Sequence, residues 1–347
     1  MTTALAQLGL TVPLVAAPMA GGPSTPALVT GAARAGGLGF LAAGYKTPQA
    51  LADEIATVRA DGVPFGVNLF APNPVPVDRE AFRRYADALQ READRYGLDL
   101  ATAEPVEDDD HWHDKLDVLL ADPVPVVSFT FGLPDRDVVA ALRRTGSLVV
   151  TTATSADEAR LGTEAGADLL VVQASAAGAH SGTLTPSRIP PEVPLTELLA
   201  AARAVTPLPL LAAGGIGTRD DVGAVLGAGA AAAVVGTVLL RSDESGANAA
   251  HREALADPKA RTTIVTRAFT GRPARALRNL FTDRYSELAP AGYPAVHHLT
   301  RPLRAAASAV GDADLLNLWA GTGHRHAGTG PVADLLRRLA PSRDHAR

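Results

Sequence analysis

Leu208–Thr218 reads LPLLAAGGIGT, and Ala231–Thr237 reads AAAVVGT. Each is an apolar run of strand length that breaks at glycine. Gly214-Gly215 ends the first run and Gly236-Thr237 the second. Runs without polar alternation are what parallel strands covered on both faces look like. Between them, Thr218–Leu226 has helical character, with Thr218 as N-cap and Asp221 in the first turn. The unit is strand–helix–strand. Glycines at two consecutive strand ends let backbone N–H groups approach a phosphate closely. Thr237 adds a hydroxyl, and a helix starting after it would add its dipole.

The same unit recurs upstream. Strand candidates are Val12–Met19, Leu38–Gly44, Phe65–Phe70, Val124–Phe131, Leu148–Thr154 and Asp168–Ala174, followed by Leu208–Gly214 and Ala231–Val235. Helical stretches between them are Thr25–Ala35, Pro48–Ala60, Asp135–Arg144, Ala156–Ala165 and Leu195–Ala204, with Ser155 a further N-cap. Eight strand–helix units in sequence predict a closed α/β fold, the (β/α)8 TIM barrel, over residues 1–240. Residues 72–123 interrupt the repeat; the charged stretch Arg79–Tyr96 and the acidic patch Glu104–Asp110 read as an elaborated loop with solvated helices. Residues 241–304 read as an appended helical subdomain, with Asn248–Leu255 and Thr262–Phe269 as helices. Residues 305–347 read as C-terminal helices returning to the barrel, Pro331–Leu339 the last of them and Pro341–Arg347 a frayed end.

Composition narrows the function. The 347 residues carry a net charge of -5 and no basic face, which argues against nucleic acid as a partner. No cysteine is present, so thiolate nucleophiles, Cys-ligated zinc and iron–sulfur clusters are excluded. No signal peptide is read before Pro13 and no apolar stretch reaches membrane-spanning length, so the expectation is a cytoplasmic chain without a membrane partner. Lysines are confined to Lys46, Lys115 and Lys259, which speaks against a Schiff-base enzyme.

A barrel binds ligands at the C-terminal ends of its strands. Asn68 ends the third strand and Gln173 the sixth, where an amide can offer both donor and acceptor to a flat heterocycle. Backbone groups at Pro18 and Met19 would be free to meet a ring edge. Gly214, Gly215, Gly236 and Thr237, at the ends of the runs that close with Ala213 and with Val234 and Val235, would meet a phosphate, either that of FMN or that of a phosphorylated substrate, and Gly178 and Gly182 let the loop after the sixth strand curl over a cofactor. His180 lies in a loop of small residues after the sixth strand, with Gly178 and Gly182 on either side. An imidazole over the barrel mouth suits a general base, because its unperturbed pKa lies near neutrality. His111 and His113, and His324 and His326, lack a third ligand at metal-site spacing, so no metal is expected. His297 and His298 have no assigned role.

Taken together, Ala17-Pro18-Met19-Ala20-Gly21-Gly22, Gly66-Val67-Asn68-Leu69-Phe70, Gln173 with Gly178-Ala179-His180-Ser181-Gly182, Ala213-Gly214-Gly215-Ile216 and Gly236-Thr237 resemble nitronate monooxygenases, formerly 2-nitropropane dioxygenases. Phe269-Thr270-Gly271-Arg272-Pro273-Ala274-Arg275 and Trp319-Ala320-Gly321-Thr322-Gly323 extend the resemblance toward the class I branch. It implies an FMN-bound barrel with a substrate-covering helical domain, in which Asn68, Gln173, Gly178, Gly215 and Val234–Thr237 hold FMN. It implies oxidation of alkyl nitronates by O2 to a carbonyl compound and nitrite, with no nicotinamide required. The residue matching His180 acts as a base toward nitroalkanes or holds the nitronate. The expected partners are that small-molecule substrate and O2, and a homodimer is compatible with the resemblance. Two departures stand out. The loop reads Ser175-Ala176-Ala177-Gly178-Ala179-His180 where the family carries Glu-Ala-Gly-Gly-His, so the Glu is missing and Ala179 replaces the second Gly, and Thr322 stands where Gln is common. The alternatives are an FMN-dependent NAD(P)H:quinone or enoyl-thioester reductase of the same superfamily, and a flavin-free phosphate-binding isomerase or aldolase.

Overall fold

The computed structural model describes residues 8–257 and 262–341. Eight parallel strands close into a barrel: β1 (Leu14–Ala16), β2 (Leu38–Ala42), β3 (Phe65–Phe70), β4 (Val126–Thr130), β5 (Leu148–Ala153), β6 (Leu169–Gln173), β8 (Leu210–Ala213) and β9 (Ala232–Val235). β9 returns to pair with β1 through Val234 and Val15. Nearly every strand residue is buried, as continuous apolar runs require. Phe40, Val126, Val150, Leu169, Leu211 and Val234 fill the interior, while a second apolar layer seats the helices outside.

All eight expected strands form, several of them shorter than their apolar runs. β1 ends at Ala16, short of Met19, because Pro18 has no N–H to donate to a ladder. β8 stops at Ala213 because Gly214 turns to a φ of +118°. Ser155 and Thr218 cap their helices as expected. Thr218 forms a reciprocal capping box with Asp221. The helix Val332–Leu339 packs onto Leu28 and Ala32 of the barrel's first helix, Pro26–Arg34.

Two expectations fail. The region after Arg241 is not purely helical: Thr263–Thr266 is a strand, not part of a helix over Thr262–Phe269. It pairs antiparallel with Ala274–Leu277, which pairs in turn with β7, the two residues Ala179–His180. The β-branched run Thr263-Ile264-Val265-Thr266 prefers the extended backbone that this pairing supplies. The helix Ala295–Ala309 also runs through the boundary drawn at residue 304.

Residues 72–123 are likewise more than a solvated elaboration. The helix Arg79–Asp94 buries Phe82, Tyr85, Ala86, Leu89 and Ala93 in a second core with Phe269, Phe281 and Leu299. Its i, i+3, i+4, i+7 spacing was visible beneath the charges. The helix Trp112–Ala121 buries Trp112, Leu116 and Leu119 against the barrel. The frayed end expected from residue 341 lies, beyond Pro341, outside the described residues.

Candidate active site

A cavity of about 590 Å3 opens at the C-terminal ends of the barrel strands, within the size range of small-molecule sites. All the residues expected at the site line it: Pro18, Met19, Asn68, Gln173, Gly178, His180, Gly214, Gly215, Val234, Val235, Gly236 and Thr237.

The end under β8 and β9 is lined by glycine backbone. Gly214 and Gly215 adopt φ of +118° and +77°, and no backbone carbonyl among the described residues accepts their N–H groups. Consecutive free N–H groups in a glycine turn make an anion-binding concavity. A side chain at Gly178 would sit 2.5 Å from the Gly321 nitrogen and 2.9 Å from the Thr237 hydroxyl, so the loop before His180 can pass only as glycine there. The Thr237 hydroxyl oxygen accepts the Gly321 N–H at 3.0 Å, leaving its own hydrogen to donate. The expected helix after the eighth strand is a single 3-10 turn, Thr237–Leu239, so backbone N–H groups, and not a long helix dipole, supply the positive potential.

At the centre, three expectations about free polar groups are corrected. The Asn68 amide nitrogen is buried and donates to the hydroxyls of Ser128 at 2.9 Å and Thr130 at 3.0 Å, leaving only its oxygen uncommitted. The Gln173 oxygen accepts the Gly182 N–H at 2.7 Å and its nitrogen donates to the His180 carbonyl at 3.3 Å. Both ends of that amide satisfy the loop's backbone, which buried peptide groups require. The Met19 N–H is likewise taken, by the Ser24 hydroxyl at 2.8 Å.

His180 sits among aromatic rings at the outer end, with Phe131, Tyr293 and Trp319 5.3–6.0 Å away between centroids. Burial, together with the Arg272 and Arg304 cations, pushes its pKa down to about 3. The imidazole is therefore neutral throughout the neutral range, and the expected near-neutral pKa does not hold. Its Nε2 lies 2.9 Å from the Thr270 hydroxyl oxygen, which is itself 3.3 Å from the Arg272 carbonyl. Thr270 can donate to that carbonyl and accept from Nε2–H, which leaves the lone pair on Nδ1. Arg272 is fully buried, donates to the carbonyls of Thr183 and Phe131, and lies over the Phe131 ring at 4.1 Å. Burial lowers Arg272 and Arg304 to about 10, so both stay charged.

Sequence reasoning missed the outer wall. Tyr45, Thr270, His297, Arg301, Arg304 and Trp319 all line the cavity. Tyr293 faces His180 from beside it. One local signal existed: His297, Arg301 and Arg304 recur at helical spacing and share a face of Ala295–Ala309. Tyr45 follows directly on the end of the second strand and Trp319 stands in a motif of the family resemblance, but their neighbours across the cavity come from distant segments.

The family profile of nitronate monooxygenases matches residues 2–342. A probable nitronate monooxygenase of Staphylococcus aureus (strain Newman) is 34% identical over 339 residues, spanning 96% of this chain and 94% of that protein. The crystal structure of nitroalkane oxidase from Streptomyces ansochromogenes superposes with a TM-score of 0.90 at 48% identity, covering 97% of this chain and 96% of that one. FabK from Thermotoga maritima superposes with a TM-score of 0.74 at 25% identity, covering 98% and 95%. A closed barrel, a glycine turn at the cavity end and a buried histidine beneath an aromatic wall thus occur in a chain that matches these proteins nearly end to end. The chain belongs to the nitronate monooxygenase family of flavin-dependent oxidoreductases.

Proposed function

We propose that this chain binds FMN with its phosphate at Gly214, Gly215, Gly236 and Thr237, and oxidises alkyl nitronates with O2 to a carbonyl compound and nitrite. Bound FMN supplies the electron acceptor. The chain's own residues hold the substrate and control its proton. One observation carries the choice of substrate: Arg304 lines the same cavity as His180, and Arg272 lies buried over the Phe131 ring that packs against that histidine.

A nitronate is an anion. The Arg304 guanidinium on the cavity lining, with Arg272 buried behind it, favours it over a neutral nitroalkane. A nitroalkane would first have to pass its α-proton to Nδ1 of His180, against the same two cations that resist imidazolium formation. Both substrates can therefore enter, with the preformed nitronate strongly preferred. The aromatic wall of Phe131, Tyr293 and Trp319 keeps water from the reacting carbon.

The test is the visible spectrum of the purified protein, followed by ethylnitronate or nitroethane in air with oxygen and nitrite measured. A yellow protein that consumes oxygen and releases nitrite much faster with ethylnitronate is the expected result. A colourless protein that does not take up FMN overturns the cofactor reading. Rapid anaerobic bleaching by NADH, without nitronate turnover, points instead to a reductase.

A further inference from the structure

The acidic patch before Trp112 and the buried Lys115 have no part in the chemistry above. Lys115 is 1% exposed, and its Nζ lies 2.7 Å from Asp110 Oδ2. Burying such a pair strips water from both charges and adds little net stability. The second carboxylate oxygen shows what the pair holds. Asp110 Oδ1 accepts the backbone N–H of Tyr45 at 2.9 Å. Tyr45, just past the end of β2, has φ of +68°, a region a tyrosine occupies only under constraint.

In that conformation the Tyr45 ring lies flat on His297, with centroids 4.3 Å apart and 1° between planes, and edge-on to Phe70 at 5.4 Å. The Tyr45 hydroxyl is buried and turns toward the Tyr293 hydroxyl. From the same loop, Asp108 Oδ2 meets His298 Nε2 at 2.7 Å. The loop thus grips both halves of the stack, Asp110 holding the tyrosine and Asp108 the neighbour of the histidine. Asp110 and His111 both adopt φ of +57°, a strained turn that a mere linker has no need of.

We propose that Asp110, paired with Lys115, is a positioning residue that fixes Tyr45 against His297 and so forms the outer wall of the substrate cavity. The nitronate reading enters only in naming the substrate used to measure the effect. The wall itself is a matter of geometry.

The test compares two variants that both lack the buried charges: Asp110→Asn/Lys115→Met, which keeps an acceptor for the Tyr45 N–H, and Asp110→Ala/Lys115→Met, which does not. Both carry Trp112→Phe, so that Trp319, on the cavity lining, is the sole tryptophan. With alanine, acrylamide quenching of Trp319 is expected to rise about threefold and KM for ethylnitronate about tenfold, with kcat within about twofold, as loss of an interaction that holds substrate predicts. With asparagine both should stay near the Trp112→Phe parent. Tyr45→Leu, which leaves the ion pair intact, should reproduce the alanine result and serves if the alanine variant does not fold. Equal quenching and equal KM in the asparagine and alanine variants, or an unaltered Tyr45→Leu protein, would overturn the proposal. If the parent does not oxidise ethylnitronate, the quenching comparison still decides the wall while the functional reading fails separately.

Discussion

Gln173 holds Gly182: the side-chain oxygen of the last residue of β6 accepts the Gly182 N–H at 2.7 Å, nine residues further along the chain. Its nitrogen donates to the His180 carbonyl. This amide therefore ties the loop carrying His180 to the barrel strand, alongside its pairing with Ala274–Leu277 and the bonds of Thr183 and Leu184 to Glu158. Gln173→Leu should remove both bonds at little cost in volume. Nitronate turnover should fall about tenfold, and stability by about 1–2 kcal/mol. Hydrogen exchange over 174–184 should accelerate. Unchanged exchange in that segment would mean the loop is held by other contacts.

The buried histidines make stability depend on pH in a stated direction. Burial holds His180 near a pKa of about 3 and His251 near about 4, against about 6.5 in an unfolded chain. Below about 6.5 the unfolded chain takes up protons that the folded one refuses. Stability from this source is therefore complete above about 6.5 and is lost as pH falls toward 4 and 3. Thermal unfolding between pH 8 and pH 4 should show Tm falling below about 6.5. His180→Asn/His251→Asn should flatten that slope. An unaltered slope would show that these imidazoles do not titrate differently on unfolding.

Ala179 stands at φ of +63°, in the left-handed region where a Cβ is unfavourable by about 1 kcal/mol. Ala179→Gly should relieve that strain, less the extra chain entropy of glycine in the unfolded state, and raise Tm by roughly 1–2 °C. A fall in Tm would place the cost elsewhere in the loop.

Gly236 lines the cavity where we propose the phosphate sits, and a Cβ there would come within 3.3 Å of Ala17 Cβ and 3.4 Å of Met19 Sδ. Gly236→Asp would add a carboxylate beside the phosphate in a confined site. The variant should purify colourless while its circular dichroism stays that of the parent. A yellow Gly236→Asp protein would move the phosphate elsewhere.

The barrel was legible in the sequence because each strand announces itself locally. Runs such as Leu210–Ala213 and Ala232–Val235 are apolar on both parities, and their glycine ends mark the turns. The strand Thr263–Thr266 was misread because four β-branched or hydroxyl-bearing residues are too few to set a period. Its partner, Ala274–Leu277, offers no β-branched residue at all. Only pairing across the chain with β7 makes the segment extended.

The sequence by itself determined the strand order, the glycine cradle and the presence of His180 at the barrel mouth. All of these follow from contacts along a few neighbouring residues. Tertiary structure alone decided the charge state of His180, because burial and two arginines from residues 272 and 304 create its field. It alone decided that the Asn68 and Gln173 donors serve the protein, because residues 128 and 130 reach Asn68 only through the β3–β4 pairing and the loop must fold back to bring the His180 carbonyl onto Gln173. And it alone set Tyr45 against His297 under the hold of Asp110, three segments that share no local pattern and are brought together by the packing of two cores.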